Sequence, residues 1–226
     1  MKRLIFIPGL GEDEKVFHNI LPLIEGEKLV LNTWNLHGDI TRGKVTATDI
    51  AREIAERYSI TKDDVIIGHS MGGWIALFVK ELTGCNIIQV GSYTSHKRVI
   101  VPVLNHQFIK WAVKYQVFFN PLIRWLVLKI QYNRKPSKQW LTYIFNLLKN
   151  GNKNNVINQL TVALTPIPTK INIEPDLRIH SKKDLIVKPP KEAYVQIPGD
   201  HFSILTYPIE AATAINDFLE ARPTGQ

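Results

Sequence analysis

The chain has 226 residues, of which 45% are hydrophobic and 21% charged, and its formal net charge is +8. This length can fill one hydrophobic core well, so we expect one domain with an insertion and not two domains. The single cysteine excludes an internal disulfide framework, and no uninterrupted apolar run is long enough to cross a bilayer.

Short apolar runs alternate with helical periodicities along the first 95 residues. Strands are predicted over Lys2–Pro8, Lys28–Trp34, Asp64–His69 and Asn86–Gly91, and helices after Gly11, over Thr46–Tyr58 and over Met71–Leu82. The strand runs lack polar alternation, which favours a parallel sheet with helices on both faces. The first apolar run, LIFI at 4–7, is too short for a signal-peptide core, so we expect a cytoplasmic protein.

The strand pattern stops after Ser95 and resumes near Leu177. Helices are predicted between these points over Phe108–Phe119, Ser137–Lys149 and Asn154–Leu164, and the chain then continues with strands Leu177–Ser181 and Ala193–Ile197, helix Pro208–Glu220 and a frayed tail at 222–226. The sequence therefore predicts an α/β core formed by residues 1–95 and 167–226, and a helical cap, residues 96–166, inserted into it.

The predicted cap carries most of the positive charge. Between Glu81 and Glu174 the sequence has no Asp or Glu but twelve Lys or Arg residues, so the remainder of the chain is slightly acidic. Such an asymmetry indicates a segment with its own partner or surface.

A polar cluster, Gly68-His69-Ser70-Met71-Gly72, lies where the third predicted strand meets the following helix. It fits the pattern G-x-S-x-G. A sharp strand-turn-helix needs very small residues two before and two after the central one, and Gly68 and Gly72 meet that need. A glycine-containing helix start with an incidental serine would also match, but the apolar strand and helix on either side favour Ser70 as a nucleophile.

A serine hydroxyl needs a base to become a good nucleophile. His201 lies in the turn Pro198–Phe202, directly after the last predicted strand, and loops after parallel strands gather at the sheet edge that carries Ser70. We therefore expect His201 to be the base. Among the other histidines we expect structural roles for His69 and His180, an exposed position for His18, and pocket or cap positions that stay open for His37, His96 and His106.

The base in turn needs a carboxylate that orients it. Asp184 lies in the turn after the next-to-last predicted strand, at the same edge, whereas Asp176 precedes that strand. Asp176 is therefore expected at the opposite edge, and Asp200 is adjacent to His201 and would struggle to reach its ring. A plain surface carboxylate is the alternative interpretation of either residue. The geometry favours Asp184.

An oxyanion hole requires two N–H donors aimed at one point. The N–H of Met71, just after the nucleophile, is the first candidate. The second is expected from the loop Pro8–Gly11 after the first strand, where Leu10 is preferred and Gly11 comes next. A glycine turn that merely introduces a helix is the alternative interpretation of this loop.

Together these motifs resemble those of the α/β-hydrolase superfamily: PGLG at 8–11, GHSMGG at 68–73, HSKKD at 180–184 and GDHF at 199–202, in that order. The resemblance covers Lys2 to about Ser95 and Leu177 to the C-terminal helix. It implies a mostly parallel, doubly wound sheet of about six strands that lacks the family's first two strands, with an inserted helical cap. Pro8-Gly9 replaces the family's usual His-Gly, which leaves the backbone donor intact.

The resemblance implies acyl transfer without a metal or organic cofactor. Ser70 would attack a carbonyl, His201 would move the proton, Asp184 would orient His201, and the amides of Leu10 and Met71 would hold the oxyanion. We expect a serine hydrolase that cleaves a carboxylic ester, with an apolar acyl group given the large apolar cap residues. The fold also hosts acyl thioesterases, lyases, cofactor-free oxygenases and ligand receptors, and these alternatives stay open.

The cap combines basic residues with the aromatic residues Trp111, Tyr115, Phe118, Phe119, Trp125, Trp140, Tyr143 and Phe145. Some of these aromatic side chains must face the sheet as core. The remainder, with the basic residues, could contact an anionic membrane surface, an acidic carrier domain that bears an acyl thioester, or a substrate with its own carboxylate or phosphate. Nucleic acid fits the predicted catalytic residues poorly.

Overall fold

The structure is a computed structural model that describes residues 3–39, 44–100, 104–166 and 172–221. Its strands are Arg3–Ile7 (β1), Glu27–Val30 (β2), Val65–His69 (β3), Asn86–Val90 (β4), Leu177–His180 (β5) and Val195–Gln196 (β6). They form one sheet in the order β2-β1-β3-β4-β5-β6, in which every neighbouring pair is parallel. The predicted α/β class and the predicted sheet of about six strands are confirmed.

The central strands are covered on both faces. From Leu4 to Ile7 no residue of β1 is more than 1% exposed, and every residue of β3 is buried. Ile5 is in register with Ile66, which in turn is in register with Ile87. Continuous runs of Ile and Val suit such strands, because consecutive side chains point to opposite faces and both faces meet core.

The helices are Thr33–Asp39 (α1), Ala47–Arg57 (α2), Met71–Thr83 (α3), His106–Lys114 (α4), Pro121–Leu126 (α5), Lys138–Asn150 (α6), Lys153–Leu164 (α7), Ser203–Thr206 (α8) and Pro208–Glu220 (α9). Short 3₁₀ turns cover Glu14–Phe17, Leu21–Leu23, His96–Arg98 and Val117–Phe119, and Val127–Gln131 is a π-helical turn. α2 and α3 pack against each other and α9 packs against β5, which supplies cover for the sheet.

Three predicted elements differ from the structure. The segment after Gly11 forms two 3₁₀ turns, Glu14–Phe17 and Leu21–Leu23, and not an α-helix. The second strand ends at Val30, since the Asn32 side chain accepts the Trp34 N–H at 3.0 Å and so starts a helix. The first cap helix is the third difference.

That cap helix was predicted to continue to Phe119, but α4 ends at Lys114 because Gln116 is left-handed with φ 55°. A left-handed residue cannot continue a right-handed helix. Between β4 and β5, the described residues form helices and turns and contribute no strand to the sheet.

One cap helix is fastened firmly to the core. α7 is buried over most of its length, and the Tyr93 hydroxyl donates to the carbonyl of Ala163 at 3.0 Å. α7 also contacts α1 and α4. No helix in the described ranges has both the length and the apolar character that crossing a bilayer requires. The predicted frayed tail, 222–226, lies outside the described residues.

Candidate active site

Ser70 occupies a very sharp turn between β3 and α3. Its backbone has φ 51° and ψ −120°, a conformation that is strained for a residue with a side chain. A Cβ at Gly72 would lie 2.0 Å from the carbonyl oxygen of Ile7, and one at Gly68 would lie 2.5 Å from the backbone of Gly73. Both glycines are therefore required for space, as the sequence pattern indicated.

The structure brings Ser70, His201 and Asp184 into one hydrogen-bonded chain. Nε2 of His201 lies 3.0 Å from Oγ of Ser70, and Nδ1 of His201 lies 2.8 Å from Oδ2 of Asp184. The carboxylate accepts the Nδ1 proton, so Nε2 is free to accept the proton of the serine hydroxyl. All three residues are buried.

Asp184 is held as a carboxylate by several donors. Its Oδ1 accepts the N–H groups of Ile186 at 2.7 Å and Val187 at 2.8 Å, and Nε2 of His180 lies 3.3 Å from Oδ2. Burial alone would raise the pKa of Asp184, but the charge of His201 and the hydrogen bonds from His180 and His201 outweigh it and lower the pKa. Asp184 can therefore keep the Nδ1 proton on His201.

Glu12 and His69 form a second buried pair beside this chain. Nδ1 of His69 lies 2.9 Å from both carboxylate oxygens of Glu12, and its Nε2 lies 2.9 Å from the carbonyl oxygen of His201. Burial would lower the pKa of His69, but the charge and hydrogen bond of Glu12 and the carbonyl of His201 raise it. Since both ring nitrogens face acceptors, His69 carries both protons.

Glu12 also holds the loop after β1. Its Oε2 accepts the N–H of Gly9 at 2.5 Å, and the side chain is only 3% exposed. From the sequence, Glu12 was predicted only to start a helix. A structural role was expected for His69, but Glu12 was not identified as its partner. An acidic residue directly after a glycine loop was the available signal.

Backbone amides of the β1 loop differ in what they bind. The Gly9 N–H donates to Glu12, and the Gly11 N–H donates to Oε1 of Gln159 in α7 at 2.8 Å. In the described part of the chain, the N–H groups of Leu10 and Met71 donate no hydrogen bond. These two amides are thus available to a ligand, whereas Gly11, the second sequence candidate, is already engaged. Gln159 was missed because only the folded cap brings it to this loop.

Asp200 is buried, so the alternative of a plain surface carboxylate does not hold for it. It is 5% exposed, its Oδ2 accepts the hydroxyl proton of Ser137, and its Oδ1 accepts the N–H of Phe202 at 3.1 Å. Ser137 occupies the predicted N-cap position of α6, but its hydroxyl caps no helix amide. The cap covers the His201 turn, so the carboxylate is buried and fastens α6 to it. Asp176 is half-buried and pairs with Lys80 at 2.7 Å.

The described side chains of His18, His96 and His106 lie outside the hydrogen-bonded chain of Ser70. His18 is exposed as predicted. His96 is buried against Trp74, and Nδ1 of His106 in α4 lies 2.9 Å from the hydroxyl of Thr161. The side chain of His37 lies outside the described residues.

Ser70 and His201 open into a cavity of about 510 Å³ between the core and the cap. Most of its lining is apolar, with contributions from Leu10, Met71, Val99, Phe118, Phe119, Ile123, Val127, Leu141, Ile144, Leu148, Leu160 and Val187. Tyr132 also lines it, and within the described ranges its buried hydroxyl has no hydrogen-bond partner. Burial and the charges of Asp200 and Asp184 raise the pKa of Tyr132. The described residues contain no cluster of three or more potential metal ligands.

Comparison with known proteins shows likeness in structure and not in sequence. No protein-family profile and no curated protein matches the chain. An enol-lactonase from Burkholderia xenovorans superposes with a TM-score of 0.71 at 15% identity, over 97% of this chain and 91% of that one. A thermophilic esterase from Thermogutta terrifontis gives 0.69 at 16% identity, over 98% and 90%. A bromoperoxidase from Bacillus anthracis gives 0.68 at 14% identity, over 97% and 92%.

Proposed function

We propose that this chain, which has the α/β-hydrolase fold, is a serine hydrolase that cleaves carboxylic esters with an apolar acyl group. The observation that carries the proposal is the chain from Ser70 through His201 to Asp184, with hydrogen bonds of 3.0 and 2.8 Å, at the wall of an apolar cavity. A buried serine with a base and an orienting carboxylate is the arrangement that acyl transfer needs.

In the first half-reaction, Oγ of Ser70 attacks the ester carbonyl carbon while Nε2 of His201 takes the hydroxyl proton. Asp184 stabilises the resulting imidazolium through its short hydrogen bond to Nδ1. The developing oxyanion accepts hydrogen bonds from the N–H groups of Leu10 and Met71, which have no acceptor among the described residues. When the carbon–oxygen bond breaks, His201 gives its proton to the leaving alcohol, and the acyl group stays on Ser70.

In the second half-reaction, a water molecule attacks the acyl carbon and His201 takes one of its protons. The same amides hold the second oxyanion. His201 then returns the proton to Oγ of Ser70, and the carboxylic acid leaves the cavity. Each transferred proton passes through Nε2 of His201, and the second proton of the water stays on the carboxylic acid, so the cycle needs no metal or organic cofactor.

The cavity favours an apolar acyl group. Large aliphatic and aromatic side chains of the core and the cap surround it, including Leu10, Phe119 and Leu160. Burying apolar surface against them contributes roughly 25 cal/mol per Å². Acyl thioesters would fit the same chemistry.

The proposal is tested by active-site labelling and a substrate series. Wild type, Ser70→Ala and the control Ser95→Ala, which changes an exposed serine, are treated with a fluorophosphonate probe and assayed on esters and thioesters of graded acyl length. We expect labelling and turnover in wild type and Ser95→Ala, rising with acyl length until the cavity is filled, and neither in Ser70→Ala. Labelling without turnover of any substrate would overturn the hydrolase proposal in favour of a lyase or receptor. Faster turnover of thioesters than of matched esters would identify acyl thioesters, and not carboxylic esters, as the substrate class.

A further inference from the structure

The outer surface of the cap exposes large apolar side chains over a continuous stretch. No residue of segment 121–130 with a described side chain is buried, although the sequence there, PLIRWLVLKI, is mostly apolar. Leu122 is 64% exposed, Trp125 50% and Ile130 72%. Soluble monomers rarely leave contiguous apolar patches of this kind, and those that do use them for binding.

α4 adds a second exposed stripe. Phe108, Trp111 and Tyr115 follow each other at helical spacing and are 41%, 50% and 60% exposed. Their ring centroids lie 5.6 and 5.7 Å apart, so the three side chains form one aromatic surface. The opposite side of α4 is buried through Ile109, Ala112 and Val113, and the helix packs against α7. The aromatic stripe therefore lies on the exposed side of the helix.

Basic side chains are interleaved with this apolar surface. Lys110 and Lys114 lie on α4, and Lys129 lies in the π-helical turn, with its Nζ 4.4 Å from the ring centroid of Trp125. Nζ of Lys114 lies 5.3 Å from the ring centroid of Tyr115. The sequence between Glu81 and Glu174 contains no acidic residue, so every charged side chain that these segments contribute to the surface is positive. We call the set Phe108, Lys110, Trp111, Lys114, Tyr115, Leu122, Trp125, Lys129 and Ile130 the outer cap face.

The outer cap face lies next to the cavity that contains Ser70. Ile123 and Val127, from the segment 121–130, line that cavity, as does Phe118 in the 3₁₀ turn between the two exposed stretches. Ile123 is at the same time 43% exposed, so this part of the cap separates the cavity from the outside. An acyl chain that enters between these side chains would pass from the outer cap face directly towards Ser70.

We infer that the outer cap face binds the surface of an anionic lipid bilayer, and that the substrate is an ester of a membrane-resident amphiphile. Trp and Tyr rings favour the headgroup level, aliphatic side chains the acyl boundary, and lysines the anionic headgroups. An acidic protein surface would satisfy the lysines but would leave side chains such as Leu122 and Ile130 without an apolar environment. The substrate half of this inference rests on the proposed function, whereas the membrane half does not.

The membrane half is tested by co-sedimentation with vesicles. Phosphatidylcholine vesicles are compared with vesicles that also contain phosphatidylglycerol, using the Ser70→Ala protein so that no lipid is hydrolysed. We expect binding to the mixed vesicles only, weakening as salt is added because the charges are screened. Replacing Lys110, Lys114 and Lys129 by Gln should weaken binding by roughly a hundredfold, at about fivefold for each charge.

Matched controls distinguish binding by the outer cap face from nonspecific binding by other exposed charged or apolar residues. Lys149→Gln with Lys153→Gln removes exposed charges elsewhere on the cap, and Ile209→Ser removes a 66% exposed apolar residue of α9. Both controls should bind as the parent protein does. Replacing Leu122, Trp125 and Ile130 by Ser should weaken binding by about tenfold or more. Tryptophan fluorescence should shift to the blue on binding, and Trp111→Phe with Trp125→Phe should abolish that shift.

Three results would overturn the membrane inference. The first is equal vesicle binding by the parent and both outer-cap variants, or no binding by any of them. The second is tighter binding to an acidic acyl carrier domain than to anionic vesicles. The third is a dimer that dissociates when Leu122, Trp125 and Ile130 are replaced, which would assign the face to a second copy of the chain.

The substrate half has its own readout. Wild type should hydrolyse esters presented in anionic vesicles faster than the Lys-to-Gln variant does, while both turn over a dissolved short-chain ester equally. Equal rates on vesicles would overturn the substrate half. If the protein binds vesicles but cleaves neither dissolved nor vesicle-bound esters, the proposed function is wrong and the membrane half of the inference is retained.

Discussion

Nε2 of His69 donates a hydrogen bond to the backbone carbonyl of His201 across 2.9 Å, which ties the end of β3 to the turn that carries the proposed base. The opposite nitrogen of His69 donates to Glu12, and Glu12 accepts the N–H of Gly9. The buried pair of His69 and Glu12 therefore connects three loops of the candidate active site: the β1 loop, the elbow before Ser70 and the His201 turn.

Replacing Glu12 by Gln should destabilise the fold and lower activity. The change leaves the buried His69 cation without its counter-charge, and breaking a buried pair in this way costs about 3–5 kcal/mol. Urea unfolding measures the effect. The control Glu14→Gln, at an exposed position, should change the free energy of unfolding by less than about 0.5 kcal/mol. Equal unfolding curves for the two variants would contradict the importance of the pair.

The same pair predicts a pH dependence of stability. The folded pKa of His69 is raised above its ordinary value of 6.5, so the contribution is fully present below pH 6.5 and is lost as the pH rises through the folded value. Measured from acid to alkaline pH, the stability difference between wild type and Glu12→Gln should shrink over that window. A constant difference would show that the charge state of His69 is not responsible.

Replacing Asp184 by Asn should reduce kcat by roughly 10⁴-fold, because the amide cannot hold the Nδ1 proton on His201. The pKa of Asp184 is lowered from its ordinary value of 3.8. The carboxylate therefore contributes stability that is fully present above pH 3.8 and is lost as the pH falls through the folded pKa. The stability gap between wild type and variant should therefore narrow in acid. Asp63→Asn, at an exposed position, should leave kcat unchanged, and kcat retained in Asp184→Asn would argue against its role.

Replacing Gly72 by Ala should prevent correct formation of the elbow. The new Cβ would lie 2.0 Å from the carbonyl oxygen of Ile7, so backbone must move, and we expect a loss of more than about 3 kcal/mol. Gly84→Ala serves as the control. Gly84 has φ +73°, but a Cβ there would meet only Cβ of Lys62, at an ordinary contact distance of 3.9 Å. Only the backbone conformation is therefore penalised, by about 1 kcal/mol. Thermal unfolding of both variants gives the comparison, and similar losses would contradict the steric argument.

Replacing Tyr132 by Phe should stabilise the protein by about 1 kcal/mol, since a buried hydroxyl without a partner in the described residues is removed. Tyr93→Phe should have the opposite effect of similar size, because the Tyr93 hydroxyl donates to Ala163. Both changes keep the ring. Chemical denaturation measures them, and a loss of stability in Tyr132→Phe would show that the hydroxyl has a partner in solution.

The sequence predicted what depends on short-range pattern. Gly68 and Gly72 are required because a side chain at either position would clash within the turn at Ser70, and a five-residue motif is enough to show this. The positions of Asp184 and His201 follow from the parallel sheet, because both residues come directly after strands. The structure brings these residues together, while their catalytic roles stay predictions. Hydrophobic periodicity likewise placed the six strands.

What the sequence missed depends on contacts between distant segments. Glu12 has the composition signal of a helix start, and its position directly after a glycine loop does not identify His69 as its partner. For Asp200 the sequence left a surface position open, because its burial requires the cap and Ser137 to cover it. Gln159 reaches Gly11 only once α7 has packed. In each case a polar side chain gains its role from a partner more than 50 positions away.

The hydrogen bond from Gly11 to Gln159 has a consequence for protein engineering. Caps are attractive modules to exchange between enzymes of one fold, since they shape the substrate chamber. A grafted cap without a hydrogen-bond acceptor at the position of Gln159 would release the N–H of Gly11. That N–H belongs to the same loop as the N–H of Leu10, which is proposed to bind the oxyanion during turnover. A chimaera should therefore inherit the glutamine together with the helix that presents it.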